Sequence, residues 1–105
     1  MSNPSKYQIS VLAAGVVDGA TGNLLAGGVG CGVTKVGVGV YNITLCDEAP
    51  KGECVMIGTV VDGGVHGGIV GAHLSNTVKQ FDTYSLAVAA DHSFEFIIFR
   101  TFNGH

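Results

Sequence analysis

The residues of this chain that could do chemistry are its three cysteines, Cys31, Cys46 and Cys54, and its four histidines, His66, His73, His92 and His105. A thiolate beside an imidazole, with Asp62, Asp82 or Asp91 orienting the ring, would make a nucleophile. No spacing selects one such trio. His66 and His73, at the ends of HGGIVGAH, have opposite parity on a regular strand and point to opposite faces. They would not chelate one metal, which leaves one histidine per subunit on a symmetry axis as the remaining metal arrangement. His92 falls in a tight Asp91-His92 turn, and His105 is terminal. Asp47, Glu48 and Glu53 share one loop but lack the Asp-x-Asp-x-Asp-Gly ladder of a calcium site, so they read as solvated charges. The expectation is a chain with no catalytic set, no cofactor and no metal, and therefore not an enzyme.

The glycines of GGVGCGVTKVGVG invite comparison with a phosphate loop. Such a loop needs Lys-Ser or Lys-Thr at a helix start, and Lys35 is followed by Val36 and Gly37 in strand-like sequence. Glycine at alternate strand positions, Gly37 and Gly39, instead suggests the close approach of another backbone or an aromatic ring. Asn42-Ile43-Thr44 matches a glycosylation sequon by chance. An odd cysteine count argues against a closed disulfide framework; Cys46 and Cys54 flank DEAPKGE and could face each other across it, but free thiols are expected.

The elements that must position these residues are strands. Tyr7, Ile9 and Val11 alternate with Gln8 and Ser10 in a first strand that continues to Val17, before a DGATGN turn cluster. Residues 24–36 are glycine-rich and extended, because each interior glycine costs a helix about 1 kcal/mol. A strand over 38–46 places Tyr41, Ile43 and Leu45 on one face. Further strands are read at 54–61, around 69–74, and in TYSLAVAA, where Tyr84, Leu86 and Val88 share a parity, with VKQFDT leading into it. In SFEFIIFRTF, Phe94, Phe96 and Ile98 take one parity, and Ile97 and Phe99 the other. Both faces of that last strand therefore need cover, and a two-layer sandwich covers one. Strand signals every 8 to 12 residues or so, without an amphipathic helix, imply an all-β, antiparallel sandwich or jelly-roll-like fold in one domain.

Only 12% of the 105 residues are charged, 47% are apolar and 17 are glycine. A surface so short of charge is best hidden against copies of itself, which predicts a homo-oligomer. The net charge is −3 and the cations Lys6, Lys35, Lys51, Lys79 and Arg100 are scattered, so no basic stripe for nucleic acid forms. MSNPSKYQISVLAAGVV has no secretory pattern and no apolar stretch spans a bilayer. The expectation is synthesis in a cytoplasm, with no membrane partner.

The order VTKVGVGVYNITL, a loop, CVMIGTVV and a closing TYSLAVAADHSFEFIIFR resembles the knob-like β-sandwich domains at the ends of tailed-phage fibres and in head-fibre or capsid decoration (cement) proteins. Those domains carry a Gly-x-Gly-x-Tyr-x-hydrophobic-Thr-hydrophobic strand, matched by Gly37, Gly39, Tyr41, Ile43, Thr44 and Leu45. They close with a strand of alternating Phe after an Asp- or Gly-bearing turn, matched by Asp91, Phe94, Phe96 and Phe99. The likeness covers residues 33–101. It implies a trimer with a virion-structural role, made in the host cytoplasm and bound to a major capsid protein or another virion protein. Fibre proteins carry a long shaft that has no counterpart here, which favours a small decoration, cement or head-spike subunit over a tail fibre. Residues 1–32 would then be the capsid- or partner-attaching segment and 33–105 the knob. Tyr41, Ile43, Leu45, Tyr84, Leu86, Phe94, Phe96, Ile97 and Phe99 would form core and interface, with Gly37 and Gly39 near a shared axis. The alternative is a receptor- or glycan-binding fibre-tip module using loops 47–53 and 62–68.

Overall fold

The computed structural model describes residues 7–103. Nine strands follow one another: β1 (Tyr7–Val17), β2 (Leu24–Val29), β3 (Cys31–Gly37), β4 (Val40–Leu45), β5 (Cys54–Val60), β6 (Gly67–His73), β7 (Val78–Ser85), β8 (Val88–Ala89) and β9 (Phe94–Asn103), with single 3₁₀ turns at Lys51–Glu53 and Gly64–His66. They form two antiparallel sheets, one in the order β2-β1-β9-β5 and the other in the order β3-β4-β7-β6, with β8 folded onto β7. The all-β sandwich expected from periodicity is the fold observed.

The core is where the two sheets meet. β9 contributes Phe94, Phe96 and Ile98, β4 contributes Tyr41, Ile43 and Leu45, and β7 contributes Phe81. The rings of Tyr41 and Phe94 lie 5.0 Å apart, and Phe81 sits 5.6 Å from Phe94 and 5.7 Å from Phe96, all tilted. Such pairs add about 0.5–1.5 kcal/mol beyond area burial. Gly58 of β5 leaves room for this cluster, since a Cβ there would stand 2.9 Å from both Phe81 and Ile69. On β1 a bulge between Val11 and Ala13 switches parity: Ile9 and Val11 point outward, and Ala13 and Val17 are fully buried.

Two expectations are corrected. The bare half of GVGVYNITL is the Val38-Gly39 turn joining β3 to β4, not the start of a strand over 38–46. Gly39 takes φ +68°, and a side chain there would strike the Thr83 and Ala90 carbonyls of the same chain. Residues 84–88 are not one strand either. β7 occupies the presumed connector VKQFDT and ends at Ser85, and Leu86 and Ala87, at φ 50° and 67°, turn the chain into β8. Leu86 is consequently 69% exposed rather than in the core. The first strands belong to the one compact domain that was expected: β1 pairs with β9 along its whole length and with β2 over Ala14–Val17.

Candidate functional site

The two sheets have one outer face each, and these differ. On the first sheet, Ile9 and Val11 of β1, Ile97 and Phe99 of β9 and Val55 and Ile57 of β5 share the outer surface, as their register shows: Val11 and Val55 both stand opposite Phe99, and Ile57 opposite Ile97. Ile9 is 68%, Val11 50% and Ile57 51% exposed. Ile9 and Val11 stand exposed at one end of this face. Toward the other end lies a hollow of about 370 Å³ among Gly15, Val16, Ala26, Gly27, Ile57 and Ile97, with Glu95 at its margin.

The outer face of the second sheet carries Thr34, Asn42, Thr44, Val78, Gln80 and Asp82. Gln80 Nε2 donates to Asn42 Oδ1 at 2.8 Å across β4 and β7. A hollow of about 440 Å³ between Val40, Val70, Tyr84, Ala87 and Ala89 includes Asp82, whose Oδ1 is buried without a donor. Tyr84 lies on this outer face, over Gly68 of β6.

A polar network ties the loops at one end of the sandwich. Tyr41 Oη, from the core, donates to the Gly19 carbonyl at 2.7 Å, and burial pushes this phenol above its ordinary range. Asp91 Oδ1 accepts the Gly39 N–H at 2.7 Å and lies 3.2 Å from Lys35 Nζ. The Gly39 N–H, with Lys35 beside it, holds the Asp91 carboxyl below the usual range, against a smaller opposing effect of burial. Ser85 Oγ stands 2.7 Å from His92 Nε2, and His92 Nδ1 stands 3.3 Å from Asp62 Oδ1. Asp62 Oδ1 also accepts the Ser93 N–H at 2.9 Å, the His92 N–H reaches Thr83 Oγ1 at 3.3 Å, and Ser93 Oγ accepts the Gly19 N–H at 3.0 Å.

At the opposite end Lys79 is wholly buried, its ammonium donating to the Ala49 carbonyl at 2.6 Å and the Ser75 carbonyl at 2.7 Å. Cys54 is buried and Cys46 exposed, both as free thiols, and burial raises the Cys54 thiol. His66 is exposed in its 3₁₀ turn. His73 faces inward opposite Lys79; burial, with Lys79 and Lys51 nearby, lowers its imidazole below the ordinary value, and its Nδ1 has no partner. Among the described residues, no three His, Cys, Asp or Glu side chains are placed to hold a metal ion. His105 and the side chain of Cys31 lie outside the described residues.

Of the expected core and interface residues, the structure brings Tyr41, Ile43, Leu45, Phe94 and Phe96 into the core, puts Ile97 and Phe99 on the apolar outer face, and leaves Gly37 exposed beside its turn. Sequence reasoning missed Lys79 and Phe81, although VKQFDT alternates with both on one parity. It also missed the meeting of Ser85, His92 and Asp62, for which no linear signal exists. No known protein family, no curated protein and no solved structure matches this chain.

Proposed function

We propose that the chain is a structural subunit that assembles with copies of itself through the outer face of the first sheet, and that the assembly is a trimeric decoration, cement or head-spike component of a virus particle. The observation that carries the first part is the contrast between the middles of the outer faces: one sets Asn42, Thr44, Gln80 and Asp82 among Val40, Val70, Val78 and Tyr84, whereas the other is a run of Ile9, Val11, Val55, Ile57, Ile97 and Phe99 with Thr59, Glu95 and Thr101 at its ends. Burying apolar surface is worth about 25 cal/mol per Å², and a contiguous exposed patch is the mark of an interaction site. A second copy is the occupant favoured here, because this one face carries both exposed apolar side chains, Ile9 and Val11, and an apolar hollow lined by Gly15, Ala26 and Gly27 that could receive them, with Glu95 as the charged group of the lining. Inserting the Ile9 and Val11 end of one copy into the hollow of the next is a heterologous contact, which closes into a ring when the rotation between copies divides a full turn and runs on as a filament when it does not. The trimer and the virion rest on the resemblance carried by Gly37, Gly39, Tyr41, Ile43, Thr44 and Leu45 and by the Phe-rich β9.

Light scattering on the eluting protein tests the assembly. The expected mass is near three times the 10.7 kDa of the chain; a stable monomer at micromolar concentration overturns it. Immunogold labelling of particles from cells that make the chain tests the virion part, where gold confined to soluble protein counts against it. A second reading, a glycan-binding module, is favoured by the second sheet's hollow, where the Asp82 carboxylate and the Tyr84 ring lie side by side as in sugar recognition. Specific retention on a glycan array, lost in Tyr84→Ala, would support it.

A further inference from the structure

Asp62 follows β5, Ser85 ends β7 and His92 precedes β9, so three separate connections deliver a hydroxyl, an imidazole and a carboxylate to one end of the sandwich. Their order in space is that of a serine nucleophile and its relay: Ser85 Oγ at 2.7 Å from His92 Nε2, and His92 Nδ1 at 3.3 Å from Asp62 Oδ1. The second distance is longer than a good hydrogen bond, as is common before substrate tightens such a site. The tautomer that base catalysis requires carries its proton on Nδ1, beside the carboxylate, and leaves the Nε2 lone pair for the serine proton. The relay is held from outside. Ser93 N–H fixes the Asp62 oxygen, Thr83 Oγ1 fixes the His92 main chain, and His92 itself is 14% exposed, enough to be reached and little enough to stay oriented.

We propose that Ser85 is an activated acyl-accepting nucleophile, with His92 as its general base and Asp62 as a positioning carboxylate, acting on small neutral esters. Oγ attacks the ester carbonyl carbon while its proton passes to His92 Nε2. The new Oγ–C bond is made, the C–O bond to the alcohol breaks, and the departing oxygen takes the proton back from Nε2. Water, deprotonated by the same nitrogen, then attacks the acyl carbon; the Oγ–C bond breaks, Oγ takes the proton back from Nε2, and the carboxylic acid leaves. The substrate class follows from the surroundings. Leu86 and Val88 flank Ser85 and Val61 precedes Asp62, all at least half exposed, so an apolar acyl or alcohol group is matched. The site lies at the loop end of the fold, apart from the first sheet's outer face, and stands independently of the assembly reading.

The test uses the intact chain, a fluorophosphonate probe and p-nitrophenyl butyrate. The expected result is one phosphonyl adduct on the peptide containing Ser85, absent in Ser85→Ala, with ester turnover lost in parallel. His92→Gln retains a side-chain amide able to reach Ser85, so the expected result is an unchanged melting curve with labelling slowed at least about 100-fold, the lower end of general-base contributions. Asp62→Asn should slow labelling at least about tenfold and Asp62→Glu should restore it. No adduct on the native chain, an adduct elsewhere, or labelling of the folded His92→Gln variant at the native rate overturns the proposal.

Discussion

The outer faces of the two sheets are made by the same device, the alternate residues of three or four antiparallel strands, and they reach opposite results. In the second sheet, β4 and β7 turn Asn42, Thr44, Gln80 and Asp82 outward, and Asn42 and Gln80 bond to each other. In the first, β9 places Ile97 and Phe99 outward between Ile57 and Val55 on one side and Val11 on the other. Both sheets draw on the same aromatic layer for their inner faces, so that layer does not account for the difference between their outer ones. The difference teaches that sheet chemistry can be read one face at a time: the inner faces specify the sandwich, and the outer faces are free to differ.

The comparison breaks most completely where the faces share a support. Phe94→Ala, in the common core, is expected to cost about 3–5 kcal/mol in denaturant unfolding, which unfolds the platform beneath both surfaces. Next is the double change Val11→Lys with Ile57→Lys, expected to weaken self-association at least about 100-fold, or roughly 2.7 kcal/mol, and to give a monomer by light scattering; Thr44→Lys with Gln80→Lys, on the other face, should leave the mass unchanged. Lys79→Met should destabilise by about 1–3 kcal/mol, because the Ala49 and Ser75 carbonyls lose their donor while the apolar stem is kept. Asn42→Ala, which touches the second face alone, should cost about 0.5–1.5 kcal/mol with association intact.

The smallest effect is a pH dependence. His73, inward-facing at the edge of the second sheet, has its imidazole held below the ordinary 6.5 by burial. The unfolded chain therefore takes up a proton that the native chain resists, so stability rises with pH through the window just below 6.5 and is lost on the acid side. Thermal melts of His73→Gln across that window should show a flatter curve than the native chain.

Much of this was legible beforehand. Alternation in YNITL and SFEFIIF is enough to predict two strands, their inner residues and the double-sided character of β9, because period two leaves no other arrangement for large apolar groups. The Val38-Gly39 turn was not recognised, since alternating Val and Gly mimics a strand, and only the positive φ of Gly39 and its closeness to the Thr83 carbonyl show the reason for glycine. VKQFDT reads as a connector, yet its alternation puts Lys79 and Phe81 on one parity, and that face is the inner one. A lysine can sit there because loop carbonyls satisfy its ammonium. The bulge on β1 was equally silent, although it decides that Ile9 and Val11 face outward. Ser85, His92 and Asp62 come from separate connections, and their meeting depends on sheet order that no local pattern encodes.

The hairpin tip beside Ser85 bends through two residues with side chains, Leu86 and Ala87, both in the left-handed region where each costs about 1–2 kcal/mol. A turn of this hand prefers Asn-Gly, so the Leu86-Ala87 pair carries strain directly beside the hydroxyl. An Asn-Gly graft there would give a hardier protein, and would report whether the tension at the tip keeps that serine poised.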